Sequence, residues 1–148
     1  MEDRDSNKEL ISFMNKNQSI SGIPNALETW FVIHFWVDML IAIPMMLFPM
    51  ALLMLFGWQI VDPIMTRLVA AALFGIGIQS YLGRKAGIEA YRGMLNLKII
   101  WSFAALGGIG YSMLAGAQGS PIIGWAFWMV FLLFNVLWIY WRLRLREN

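Results

Sequence analysis

The stretch IIGWAFWMVFLLFNVLWIYW, Ile122 to Trp141, carries a single strongly polar side chain, Asn135. A helix needs about 20 apolar residues to cross roughly 30 Å of hydrocarbon. The run is therefore read as a membrane span. Arg142, Arg144 and Arg146 follow it, and Ser120-Pro121 precedes it as a cap followed by a proline at the helix start.

Working towards the N-terminus, three further runs satisfy the same length rule. They cover about 29–57, 64–82 and 99–117, which with 122–141 makes four spans. The only other spanning solution, a closed β-barrel, needs alternating short strands, and these runs are continuous. Composition agrees: 59% of residues are hydrophobic and 14% are charged. A soluble domain carries roughly 25% charged residues. The fold class is therefore all-α, an integral membrane four-helix bundle.

The placement of basic residues orients it. Arg84, Lys85, Arg92 and Lys98 cluster in the connection between the second and third spans, and Arg142, Arg144 and Arg146 in the basic tail 143–148 and just before it. The turns at 58–63 and 118–121 hold no Lys or Arg. Positive charge stays inside, so both termini are expected in the cytoplasm and the protein in the cell membrane. Trp30, Phe31, Phe35, Trp36, Trp138, Tyr140 and Trp141 form an inner aromatic belt, and Trp58 and Trp125 an outer one. Residues 1–27 form a polar tail of mixed charge without the features of a secretory signal. The transmembrane domain is expected over 28–142. The connection 83–98 is long enough for a short surface helix.

The first span, at 29 residues, would reach about 43 Å as one helix. Pro44 and Pro49 each remove a backbone hydrogen bond, so a kinked first span is expected. Asp62-Pro63 reads as a cap and first-turn proline for the second span.

Lipid supplies no hydrophobic drive between helices, so close approach needs small residues. Ala104, Gly108, Ser112 and Gly116 stand at four-residue steps, as do Arg67, Ala71, Gly75 and Gln79. Ala71, Gly75 and the span 3 stripe are expected to pack helices, either within the chain or between copies of it.

The polar residues in the spans carry the functional question. Asp38, Gln79, Ser102 and Asn135 place one polar side chain from each span in the inner part of the membrane, with His34 and Lys98 one turn below Asp38 and Ser102. Polar groups in a span are costly and turn towards a partner or towards water. Two readings stay open. In one, these groups bond across helices, Lys98 snorkels to the interface and Asp38 pairs with His34 or Lys98. In the other, all six line a cytoplasm-facing pocket centred on Asp38 for a small lipophilic, cationic or proton-coupled ligand. Arg67, near the outer face, is expected to snorkel or to pair with Asp62.

Other chemistry is limited. The chain has no Cys and one His, which rules out disulfides, thiolate metal sites and a bis-His haem within one chain. No catalytic residues, metal site or cofactor can be assigned. The eleven methionines, five of them in span 1, are read as flexible core filling. The glycines at 107, 108 and 110 lie in an apolar helix and are read as packing, not phosphate binding. Nucleic acid is not an expected partner; the basic residues suit anionic inner-leaflet lipid. The leading expectation is a non-enzymatic structural or accessory subunit, as a homo-oligomer or within a larger membrane complex. Ligand binding or transport comes second.

The stretch Asp62-Pro63, Arg67-Leu68, Ala71 and Gly75-Ile76-Gly77, after a proline-containing first span, resembles the second span of small four-helix prokaryotic membrane proteins, many described as DoxX-like. The resemblance covers residues 29–141 mainly as span number and spacing. It implies the four-helix fold and transfers no functional residue. The polar N-terminal tail and His34 depart from it.

Overall fold

A computed structural model describes residues 23–119 and 121–145. The tail to residue 22, the expected cap at Ser120 and Arg146 lie outside the described residues. The described chain is helical and contains no strand. Its helices are α1 (Asn25–Leu47), α2 (Pro49–Leu55), α3 (Pro63–Leu82), α4 (Ile88–Leu114) and α5 (Ile122–Arg144), with 3-10 turns at Gly83–Lys85 and Ala117–Gly119. Four of them, α1, α3, α4 and α5, are long and apolar enough to cross a membrane.

The surface is that of a chain solvated by lipid. Leu40, Leu55, Leu114 and Ile122 are each more than three-quarters exposed. In water, such a continuous apolar surface would drive aggregation.

The 29–57 run is divided between two helices. Pro49 supplies no N–H to continue the ladder, and its ring disfavours helical backbone at the residue before it. Phe48 accordingly sits at φ −130°, ψ 55°, and α2 restarts with Pro49 in its first turn. α2 ends at Leu55 with Phe56 as its cap, and the next residue, Gly57, has a φ of +88° that allows the Trp58 N–H to reach back to the Leu53 carbonyl at 3.0 Å. That is a Schellman stop, and it needs the glycine.

Arg67 belongs to this junction. Its Nε donates to the Met46 carbonyl at 3.2 Å, a group left at the end of the interrupted helix. Arg67 and Asp62 therefore do not pair. Asp62 caps α3, accepting from the N–H groups of Ile64 (2.8 Å) and Met65 (3.2 Å). Arg67→Met is expected to cost about 1 kcal/mol, read as a lower unfolding temperature in detergent, with α2 fraying first in hydrogen exchange.

The expected surface helix in 83–98 is instead the start of α4, which runs unbroken from Ile88. The true connection is the 3-10 turn plus Ala86 and Gly87. At 27 residues, α4 is about 40 Å long, so its first turns extend past a typical hydrocarbon core.

The helices pair as α1 with α3 and α4 with α5. The α1–α3 contact uses the buried stripe Thr66, Ala70, Leu73, Gly77 and Ser80, whose alternating four- and three-residue steps keep it on one face. A Cβ at Gly77 would lie 2.8 Å from the Cβ of Asp38, so the glycine permits the close approach. In the second pair, a Cβ at Gly110 would lie 2.9 Å from Trp128 Nε1, which donates to the Leu106 carbonyl at 3.1 Å.

The small-residue stripes named from the sequence do not pack within the chain. Ala71, Gly75, Ala104, Gly108 and Gly116 are exposed, and nothing lies within 4 Å of a Cβ built at Gly75 or Gly108. Ser112 bonds back to the Gly108 carbonyl of its own helix. A four-residue ridge drifts about 40° per step around a helix, so it leaves the face that the alternating pattern follows.

The two pairs join at the end bearing the basic residues. Leu27, Phe31, Tyr91, Leu95, Trp138 and Leu145 are fully buried there as one cluster. Phe31 meets Tyr91 at 4.8 Å and Trp138 at 5.7 Å between ring centroids. The Tyr91 hydroxyl donates to the Arg84 carbonyl, and Arg92 Nη2 to the Leu145 carbonyl at 2.9 Å, closing the end of α5.

Candidate functional site

Directly above that apolar plug lies a polar cluster. His34 and Asp38 stand one turn apart on α1 and face the bundle, with His34 Nδ1 2.9 Å from Asp38 Oδ2. Lys98 enters from α4. Its Nζ lies 3.0 Å from the same His34 Nδ1 and donates to Ser80 Oγ, on α3, at 2.7 Å. Ser80 in turn donates to the Ile76 carbonyl at 2.6 Å. Lys98 is 3% exposed, so it points into the protein instead of snorkelling to the interface. Its ammonium sits 5.0 Å from the Phe31 ring centroid and 4.9 Å from that of Trp138, where aromatic faces attract a cation.

α5 shapes the cluster with rings. His34 packs edge-on against Phe134 at 4.9 Å and Trp138 at 5.1 Å. Phe134 and Trp138 stack on each other one turn apart. The His34 ring thus has little freedom to turn away from Asp38 and Lys98.

The expected residues separate into three groups. Asp38 and Lys98 each meet His34 Nδ1 directly. Ser102 and Asn135 are buried beside them but chiefly tie α4 to α5. Asn135 Nδ2 donates to Ser102 Oγ at 2.8 Å and to the Ile99 carbonyl at 3.1 Å, and Ser102 Oγ donates to the Lys98 carbonyl at 2.7 Å. Gln79 is exposed and takes no part. Ser80, its neighbour, fills the place that the sequence reading gave to Gln79. The alternating stripe from Thr66 to Ser80 contains the signal that identifies it, because Ser80 lies three residues past Gly77 on the buried face. Asn135→Leu is expected to cost about 0.6 kcal/mol, the typical worth of a hydrogen bond between membrane helices, measured by unfolding in bicelles.

The cluster is the floor of a cavity of about 590 Å³ between the two helix pairs. His34, Asp38, Lys98 and Ser102 line its polar end, while its walls are apolar, including Ile41, Met45, Leu53, Ile109 and Phe131. At the far end Phe127 approaches Phe56 (6.2 Å) and Trp58 (6.3 Å). The cavity therefore runs away from the basic end, which the cluster around Phe31 and Trp138 plugs. The pocket expected to face the cytoplasm instead extends towards the short-turn end. Leu40 and Met65 line the cavity and are also exposed.

One geometric fact governs the chemistry. His34 Nδ1 is shared by two opposite partners, since a lysine ammonium can only donate and a carboxylate can only accept. A protonated Nδ1 bonds to Asp38, and a bare Nδ1 accepts from Lys98. It cannot serve both at once. Asp38 Oδ2 is sealed from solvent, and its one polar neighbour among the described residues is this nitrogen. The cluster is thus held in place but left short of one hydrogen bond.

In comparison with known proteins, the chain matches no family model, no curated protein and no solved structure. The resemblance of its second span to DoxX-like proteins therefore remains one of spacing, and the case for function rests on the cavity and its floor.

Proposed function

We propose that this chain is a non-enzymatic, multi-pass membrane protein that binds a small amphiphilic molecule between its two helix pairs, both termini lying in the cytoplasm. The observation that carries the reading is the cavity. Its volume of about 590 Å³ falls in the range of small-molecule sites, roughly 300–1,000 Å³, and it combines apolar walls with a few convergent polar groups as such sites do. A purely structural polar cluster would be closed over by side chains on every side. Here one side is open to a space bounded by apolar residues, and its exposed lining residues Leu40 and Met65 mark the natural route for a ligand from the bilayer.

The test is co-purification. Chain extracted in nanodiscs should retain a lipophilic molecule detectable by native mass spectrometry. Ile109→Trp, which fills the cavity from α4, should fold and lose that molecule. Equal retention by the two proteins would refute the proposal.

The structural or accessory reading keeps one supporting observation, the outward small-residue faces of α3 and α4. Gly75→Ala and Gly108→Ala meet open space within the chain, and each is expected to leave the monomer's stability unchanged or to raise it by up to about 1 kcal/mol through helix propensity. In a chain without native cysteine, Gly108→Cys reports contact between copies by disulfide trapping. Trapped dimer in native membranes favours assembly through this face, and its absence assigns the face to lipid.

A further inference from the structure

Resting on the cavity reading above, we infer that the polar floor recognises a neutral hydroxyl head group on an apolar chain or ring, the hydroxyl donating to Asp38 and accepting from Lys98.

The floor holds donors and acceptors that its own residues do not meet. A carboxylate offers about four acceptor positions, and the polar group that meets Asp38 among the described residues is His34 Nδ1. Lys98 has three N–H donors, of which Ser80 takes one at 2.7 Å and His34 Nδ1 lies at 3.0 Å. When the Nδ1 proton points to Asp38, Lys98 is left with two spare donors and Asp38 with spare acceptor positions. When Nδ1 accepts from Lys98, Lys98 keeps one spare donor and Asp38 is left without a donor partner. In both states the floor presents an unmet donor and an unmet acceptor. A hydroxyl is both donor and acceptor and serves either state. A ketone only accepts and leaves Asp38 unmet. An ammonium only donates and leaves Lys98 unmet.

Charge narrows the class further. Asp38 and Lys98 sum to zero whether they hold opposite charges or the proton has passed between them. A charged head would therefore enter the apolar cavity uncompensated, which is costly inside a membrane. The walls around Ile41, Leu53 and Ile109 accept only the apolar remainder of the ligand. The ligand class that fits is an alcohol or phenol of a lipid, reaching the floor with its polar end first.

The experiment uses the full-length chain in nanodiscs and bromine-terminated medium-chain probes: an alcohol, the matching alkane, and the matching alkylammonium. Bromine quenches tryptophan, and Trp58 and Trp101 line the cavity. Quenching is read against probe mole fraction in the bilayer, with Ile109→Phe as the filled-cavity background. The alcohol should quench at about tenfold lower mole fraction than the alkane or the alkylammonium, the effect of one hydrogen bond to a charged group. Asp38→Asn should shrink the alcohol's advantage while leaving alkane quenching as it was. If alcohol and alkane quench equally in the wild-type protein, water holds the floor and the hydroxyl assignment is wrong, although the cavity still binds. If the alkylammonium binds tightest, Asp38 acts as a counter-ion and the assignment is wrong. If no probe exceeds the filled-cavity background, the cavity reading fails and this inference with it.

Discussion

Lys98→Met should destabilise the protein by about 1–3 kcal/mol, the cost of leaving the buried groups it meets unsatisfied. Lys98 is 3% exposed and Asp38 4%, so neither group can turn to water. Without Lys98, Ser80 loses a donor at 2.7 Å, and the Asp38 carboxyl is left beside His34 with no cation near it. The double variant Asp38→Asn/Lys98→Met should recover part of the loss, because it also removes the buried negative charge that Lys98 balances across His34. A double-mutant cycle on unfolding in mixed micelles measures the coupling. Should Lys98→Met match the wild type, Lys98 is not buried against His34 and Ser80 and the floor described above does not exist.

Gly77→Val should open the α1–α3 pair. A Cβ at Gly77 meets Asp38 Cβ at 2.8 Å, Met39 Cε at 2.9 Å and Asp38 Oδ2 at 3.1 Å. The methionine end can move, but the Asp38 Cβ is tied to the α1 backbone. Overpacking of this kind costs about 1–3 kcal/mol, and here the displaced residue is also the acceptor at the cavity floor. The variant should therefore lose both stability and retained ligand, read by thermal unfolding and native mass spectrometry. Gly75→Ala, two residues away on the lipid side, provides the control. Equal effects at the two positions would mean that α3 presents a different face to α1.

Much of the fold could be read from the residues because hydrocarbon imposes a length rule that few sequences meet by chance. Pro63 and Asp62 mark the start of α3 where expected, and Ile122 begins α5. The break at Phe48 follows from Pro49 alone. What composition does not encode is where a helix stops being a span. Ile88 to Leu97 hold no proline, and α4 runs through Gly93 unbroken, so a helical connection and a helical span look alike.

The candidate site was legible on α1 and α4. His34 and Asp38 at i, i+4 share a face whatever the partners are, and Lys98 was placed one turn from Ser102. Its burial was not legible, because a lysine near a span end can snorkel as easily as pair. On α3 the choice of ridge decided the outcome. Four-residue steps from Arg67 to Gln79 trace a face that winds towards lipid, whereas the alternating steps from Thr66 to Ser80 stay against α1. Ser80 and Gly77 were hidden by that choice, and Ala71, Gly75 and Gln79 were carried outward by it. The cavity itself lies beyond any single-helix pattern, since it arises from two pairs that touch at the Phe31–Trp138 end and at Phe127 but separate between.

The most direct measurement is an experimental density map of the chain in nanodiscs made from native lipid. Elongated density is expected between the two helix pairs, its polar end within hydrogen-bonding distance of Asp38 and Lys98 and its apolar end near Phe56 and Phe127. Helix pairs collapsed onto each other, with Leu53 packed against Ile109 and no space above Asp38, would contradict that expectation.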